Sequence, residues 1–388
     1  MEILVLDTIH GGRELARALE EMGHDVEAID VYRGKATPGL GHYDMIVAPV
    51  HLDPENPALL TPSTKRITHH QAVAWVLWDT IPHPMVEVTG AKGKTTTAHA
   101  LASLMKGRGV LHTSMGTFRY PERSLLWRSS ITPASLISAA RAAWEMKGWL
   151  IAEVSLGVSG IGDMAILTSI DDYPIAGGAR RAIDAKLGTL AEASQVVMPS
   201  EHEGAPEYAI GVEAVTKVEG STCFFAWGGR EGAYTNPLLL LEGYRLPLRL
   251  ATTAACLLGI DPSPLGHFQA LEGRMSLRRE GDILIVDNSN SGTCRETTLE
   301  AVEYARTLTG NQAVTLVIGE EARAICEGFA AEEIARTIAY VRPGQVILVG
   351  HMMGLPGYEQ VATLDEGLKR ARAVATGGSI VLAVKTWR

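Results

Sequence analysis

The stretch Met85-Val-Glu-Val-Thr-Gly-Ala-Lys-Gly-Lys-Thr-Thr-Thr97 constrains this chain more than any other. An apolar β-type segment runs into a glycine turn, and the turn runs into a helix start. Bent at Gly90 and Gly93, such a backbone can aim its N–H groups at an anion, and the helix that follows adds the positive end of its dipole. Gly90, Ala91, Lys92, Gly93, Lys94, Thr95 and Thr96 then form a phosphate cradle. In it Lys94 reaches the β- and γ-phosphates and the Thr95 hydroxyl ligates Mg²⁺. The textual match is Gly-x-x-Gly-Lys-Thr-Thr, and Val88 stands where the longer P-loop pattern has its first glycine. A surface turn rich in Lys and Thr is the bland alternative; a strand before and a helix after favour the phosphate site.

Parallel α/β patterns surround this loop. Residues 2–7 read as a buried strand, followed by Gly11-Gly12, a helix with Leu15, Ala18, Leu19 and Met22 on one face, and strands at 26–31 and 43–50. The ligand edge of such a βαβ unit lies at the carboxyl ends of its strands. That edge carries Asp7, His10, Gly11 and Gly12 after the first strand and His51 after the third. The two glycines read equally as a ligand loop or as a tight strand-to-helix turn. A Pro-rich passage follows, then Thr68 as the cap of a short helix that opens with His69 and His70, then Pro82 and Pro84 as a boundary.

The strand 149–155 has its apolar run broken by Glu153. A carboxylate at the carboxyl end of a strand beside a phosphate loop suits a Mg²⁺–nucleotide ligand. A strand at 165–170 ends in Asp171-Asp172-Tyr173, a helical segment spans 182–187, and a helix runs from Leu250 to Leu258; residues 200–247 say little. Strands at 282–287, 313–319, 345–350 and 379–384 alternate with helices at 296–308, 329–340 and 365–375, which predicts a further parallel sheet.

At 388 residues the chain divides into about two to three domains. With 46% hydrophobic and 20% charged residues it reads as globular, and a net charge of −9 excludes an electrostatic footprint for nucleic acid. Cys223, Cys256, Cys294 and Cys326 form no C-x-x-C pair, so neither a zinc site nor a disulfide framework is expected, and reduced thiols in a cytoplasm are. No cleavable leader and no membrane span are expected either.

Three features in order carry a resemblance: Gly90-Ala-Lys-Gly-Lys-Thr-Thr96, then Glu153-Val-Ser155, then Gly273-Arg274 followed by Asp287-Asn-Ser289. Together they resemble the Mur ligase family over about residues 85 to 388. The resemblance implies an α/β, three-domain architecture. Residues 1–84 would form a small N-terminal Rossmann-like substrate domain, 85–267 a central P-loop ATPase, and 268–388 a C-terminal Rossmann-like domain that closes over ATP. Family members use ATP to turn a substrate carboxylate into an acyl phosphate, which a nucleophile then displaces.

Carried over by residue, Lys94, Glu153, Arg274 and Asp287 become the catalytic set. Thr95 and Glu153 hold the metal, and Arg274, Asp287 and Asn288 contact the nucleotide. Lys186 falls near the lysine that many members carbamylate as a metal-bridging group, although a helical lysine is ordinarily solvated. Where the family has Asp-His after a central strand, this chain has Asp172-Tyr173, so the resemblance supports one Mg²⁺ more firmly than two. The C-terminal strand runs into Lys385-Thr-Trp-Arg388, where amino-acid-adding members have segments for an amine, so a peptidoglycan substrate fits badly.

Within the family, Asp7-Thr-Ile-His-Gly-Gly12, His51-Leu-Asp-Pro54 and Ile67-Thr-His-His-Gln-Ala-Val73 resemble the branch that completes coenzyme F430 in methanogenic archaea. That likeness implies ATP and Mg²⁺ as cofactors and a nickel-containing tetrapyrrole, 15,17³-seco-F430-17³-acid, as substrate and principal partner. Nickel enters only within the substrate, and the likeness leaves room for contact with other enzymes of that pathway. His10, Gly11, Gly12, His51, His69 and His70 become the substrate-binding set, offering an axial ligand to nickel or hydrogen bonds to substrate carboxylates. Arg13, Arg119, Arg123, Arg128, Arg180 and Arg181 are candidates to face those carboxylates. A Mur-like amide ligase and a nucleotide-switched binding protein remain the alternatives.

Overall fold

The computed structural model describes residues 1–32, 42–200, 202–290, 292–321, 329–350, 355, 357–375 and 377–386. Cys326, Trp387 and Arg388 lie outside these. Two compact units are present, Met1–Phe268 and Gln269–Arg388.

The first unit begins with a four-stranded, all-parallel sheet ordered Asp25–Ile29, Glu2–Leu6, Tyr43–Ala48, Ser63–Thr68. Ile3, Leu4, Val5 and Leu6 are wholly buried, as expected of a central parallel strand covered on both faces. Strand Ser63–Thr68 falls in the stretch read as Pro-rich passage and cap. Its Ser-Thr-Lys-Arg start is polar because it lies at the sheet edge, where one side has no pairing strand. Thr68 caps helix His69–Leu77 in a reciprocal capping box with Gln71, as its sequence position suggests.

An eight-stranded sheet follows, ordered Ile210–Gly211, Val196–Met198, Met164–Leu167, Met85–Thr89, Trp149–Glu153, Gly109–Thr113, Gly116–Tyr120, Ser124–Trp127. The first six strands are parallel and the last two add an antiparallel meander. The P-loop strand Met85–Thr89 therefore lies between the strands ending at Leu167 and Glu153. Chain direction places the ends of all three at one edge, where open α/β sheets bind ligands. A continuous apolar core runs from Ile3 and Leu15 through Val73 and Leu77 to Ala140, Leu150 and Val154.

Residues 216–235, unread from sequence, form a three-stranded antiparallel meander. The helix expected at 250–258 begins at Glu242 and runs to Leu257 with Pro247 inside it. Burial of Tyr244, Pro247 and Leu248 carries the helix through the proline.

The second unit has a six-stranded sheet ordered Ser276–Glu280, Ile283–Asp287, Ser379–Lys385, Val314–Glu320, Gln345–Val349, Glu359–Val361. It is parallel apart from the first, antiparallel edge strand. Helices Arg295–Thr309, Ala331–Val341 and Leu364–Val374 lie close to their expected positions.

Candidate active site

The loop after strand Met85–Thr89 has the backbone that an anion cradle requires. Gly90 and Gly93 adopt φ of 144° and 86°. A Cβ on Gly90 would come within 2.1 Å of Thr168 Oγ1, so only glycine fits there. The amides of Ala91 and Lys92 converge on one oxygen, Ser169 Oγ, at 3.0 and 3.3 Å. Thr168 Oγ1 donates to the Lys92 carbonyl at 2.6 Å, fixing the loop from the neighbouring strand end. Helix Lys94–Leu104 starts with no side-chain cap on its first N–H groups, leaving its positive end available to an anion. Lys94 Nζ donates to the Gly90 and Ala91 carbonyls at 2.9 and 3.4 Å, and Thr95 Oγ1 lies 3.3 Å from Ser114 Oγ. Thr168, Ser169 and Ser114 were absent from the sequence-derived set. Thr168 and Ser169 could have been found as the residues following the strand next to the loop strand.

Glu153 ends the strand on the other side, paired with Val88, and is buried. Lys186 is completely buried rather than solvated. Its Nζ, with no hydrogen-bond partner, lies 5.0 Å from the centre of the Tyr173 ring. Burial lowers its pKa to about 8, and the Lys94 charge adds to the effect against the pull of Asp172 and Asp171. These donors fit a Mg²⁺–nucleotide: hydroxyl and carboxylate oxygens suit a hard cation, while Lys94 and the loop amides suit phosphate oxygens.

Two residues beyond Glu153, Ser155 lines a cavity of about 370 Å³ with His10, His51, His69, His70 and Thr132 among the other walls. All four predicted histidines thus meet in one place. Gly11 and Gly12 are not among its walls but are closely packed: a Cβ on Gly12 would come within 1.9 Å of the Asp7 carbonyl oxygen, and one on Gly11 within 2.7 Å of Thr132 Oγ1. Close packing and the φ of 92° at Gly11 account for both glycines as a tight strand-to-helix turn.

The histidines divide into two pairs. His69 Nε2 donates to the Leu6 carbonyl at 2.9 Å and His70 Nε2 to the Ser155 carbonyl at 3.0 Å. Both rings are buried, and burial lowers their pKa to about 4, so they stay neutral. His10 and His51 instead lean on Asp7. His10 Nδ1 is 2.8 Å and His51 Nε2 3.5 Å from Asp7 Oδ2, while Asp7 Oδ1 accepts the Ile9 and His10 amides at 2.9 and 3.0 Å. Burial by itself would raise the Asp7 pKa. Hydrogen bonds from His51, the two amides and the His10 ring outweigh it and hold the carboxyl well below the usual range.

The proposed arginines are all exposed. Arg180 reaches the cavity wall through the Val50 carbonyl at 3.2 Å, Arg181 pairs with Asp172, and Arg123 covers the Tyr120 ring. In the second unit, Asp287 ends its strand opposite Ser276 and lines a separate cavity of about 250 Å³ with Glu272 and Arg278. Arg274 sits in the preceding turn, which Asn290 ties down through the Gly273 carbonyl at 2.7 Å, and Asn288 donates to the Thr297 carbonyl at 3.2 Å.

A family profile described as the C-terminal domain of coenzyme F430 synthetase CfbE matches residues 277–386. Coenzyme F(430) synthetase of Methanosarcina acetivorans is 30% identical across an alignment spanning 100% of this chain and 99% of that protein. The chain belongs to the coenzyme F430 synthetase family. The same name is borne by a Methanocaldococcus jannaschii protein 24% identical over 49% of this chain and 50% of that one. Among solved structures, MurF ligase from Thermotoga maritima in complex with ADP superposes with a TM-score of 0.53 at 17% identity, covering 89% of this chain and 91% of that one. A bifunctional folylpolyglutamate synthase/dihydrofolate synthase with Mn, AMPPNP and L-glutamate bound reaches 0.58 at 19% identity, covering 82% and 90%. These structures establish that this F430 synthetase family chain has the Mur ligase fold. No helix among its described residues is long and apolar enough to cross a membrane.

Proposed function

We propose that the chain is an ATP- and Mg²⁺-dependent ligase of coenzyme F430 biosynthesis. It activates a propionate carboxylate of the nickel-containing seco-acid as an acyl phosphate and closes the carbocyclic ketone, giving F430, ADP and phosphate. Family membership supports the substrate. The observation that carries the chemistry is the strand Trp149–Glu153. Its end flanks the phosphate loop through Glu153, and its continuation, Ser155, lines the histidine cavity.

In this reading residues 1–84 bind the macrocycle, 85–267 bind ATP and 268–388 form a C-terminal Rossmann-like domain. Lys94 and the amides of Ala91 and Lys92 hold the phosphates. Thr95 and Glu153 hold Mg²⁺, which when bound neutralises charge on the phosphoryl group in transfer. Arg274, Asp287 and Asn288 keep the nucleotide-binding roles that the family resemblance implies. Lys186, with its depressed pKa, supplies a reactive amine for the carbamate role. The cavity takes the reacting edge of the macrocycle and keeps water from the acyl phosphate. Joining two ends of one macrocycle gives a high effective molarity.

The test is incubation with ATP, Mg²⁺ and the nickel seco-acid, followed by mass and absorbance. ATP-dependent loss of one water from the tetrapyrrole is expected. Phosphate release that requires an added amine would point instead to an amide ligase, and nucleotide binding with no turnover to a switch.

A further inference from the structure

Closing a ring onto a carbon leaves a proton to be removed. We propose that His10 is the general base of ring closure and that Asp7 is its positioning residue; the assignment rests on the cyclisation reading above.

Four observations fix the His10 ring. Its Nδ1–H donates to Asp7 Oδ2 at 2.8 Å, so Nε2 carries the lone pair. The ring meets His51 and Tyr32 edge-on, with centroids 5.1 and 5.2 Å away and interplanar angles of 88° and 89°. Its side chain is 47% exposed and lines the cavity, whereas Asp7 beneath it is 0% exposed. Asp7 has φ of 80°, a conformation uncommon outside glycine, and it places Oδ1 on the two loop amides and Oδ2 on the imidazoles. A buried carboxylate behind an imidazole that faces a cavity selects the tautomer and stabilises the imidazolium.

The other histidines are less suited. His69 and His70 spend Nε2 on backbone carbonyls and resist protonation. His51 lies further from Asp7, at 3.5 Å, and stacks on Tyr32. Among the described residues, the titratable and charged groups around His10 are Asp7, His51, Tyr32 and His69, with Arg180 turned to the Val50 carbonyl.

The step balances without an outside reagent. A π pair of the macrocycle attacks the acyl carbon, forming the C–C bond. The tetrahedral adduct expels phosphate as the C–O(P) bond breaks. The C–H proton of the attacking carbon passes to His10 Nε2, and its electron pair returns to the macrocycle. The imidazolium is left paired with Asp7.

The test is a single-turnover experiment on wild type and His10→Gln with ATP, Mg²⁺ and the nickel seco-acid, using hydroxylamine to trap acyl phosphate. At saturating substrate, His10→Gln should still yield hydroxamate, and ring closure should slow by about 10²-fold or more beyond any change in hydroxamate formation. Asp7→Asn should accumulate acyl phosphate in the same way. Ring closure by His10→Gln at the wild-type rate overturns the assignment. So does equal loss of both steps, which would mean a binding role. Stoichiometric metal in the purified protein that disappears in His10→Gln also overturns it, because the imidazole would then be a ligand. If wild type forms no hydroxamate, the activation reading itself fails and the base assignment falls with it.

Discussion

Lys186 Nζ lies 5.0 Å from the centre of the Tyr173 ring, sealed from solvent and with no hydrogen-bond acceptor. A lone buried ammonium is costly, and the aromatic face offsets only part of that cost. Lys186→Met should therefore leave the urea midpoint unchanged or higher while lowering ATP turnover by about 10²-fold. A loss of both stability and turnover would give Lys186 a structural role only.

Gly90→Ala should fail where Gly107→Ala succeeds. Both glycines have positive φ, but a Cβ on Gly90 meets Thr168 Oγ1 at 2.1 Å and one on Gly107 meets nothing within 4 Å. Strain alone costs about 1–3 kcal/mol. Calorimetry should show ADP binding lost in Gly90→Ala and retained in Gly107→Ala, whose cost appears only in its melting temperature.

Glu153→Gln keeps size and removes charge. Fold and melting temperature should persist, while the Mg²⁺ concentration for half-maximal ATP turnover rises at least about tenfold. An unchanged Mg²⁺ requirement would remove Glu153 from the metal site.

Acid should destabilise the protein in two windows. Burial lowers the pKa of His69, His70 and His112 to about 4, so between pH of about 6.5 and 4 the unfolded chain binds protons that the folded one does not. Stability thus falls as pH drops through that range. Asp7, held below the usual carboxylate range, contributes stability that is full above the unfolded pKa of about 3.9 and is lost below it. Urea midpoints measured across pH should show the first decline, and His70→Asn should flatten it.

Much of the strand, glycine turn and helix at 85–104 was legible because it is local. The glycines, lysine and threonines of the turn are consecutive, and the elements before and after it follow from the pattern of the same short stretch. The place of Glu153 was legible because it closes an apolar run, which marks a strand end. Lys186 was not, since helical spacing does not report which face meets a neighbouring Tyr. The meander at 216–235 was obscured because its strands are half-exposed and alternate weakly.

The substrate end separates what the chain's letters determine from what folding decides. Strand, Gly-Gly turn and helix around His10, and the cap at Thr68, follow from local sequence. That Asp7, His10 and His51 share one carboxylate oxygen does not. It depends on the parallel pairing of Glu2–Leu6 with Tyr43–Ala48, which sets the loops after the two strands side by side. That Ser155 joins them depends on the core that packs the first sheet against the second. Strand order and layer packing are settled by burial of apolar faces far apart in the chain, so only the tertiary structure could gather these histidines at the end of the strand that also serves the phosphate loop.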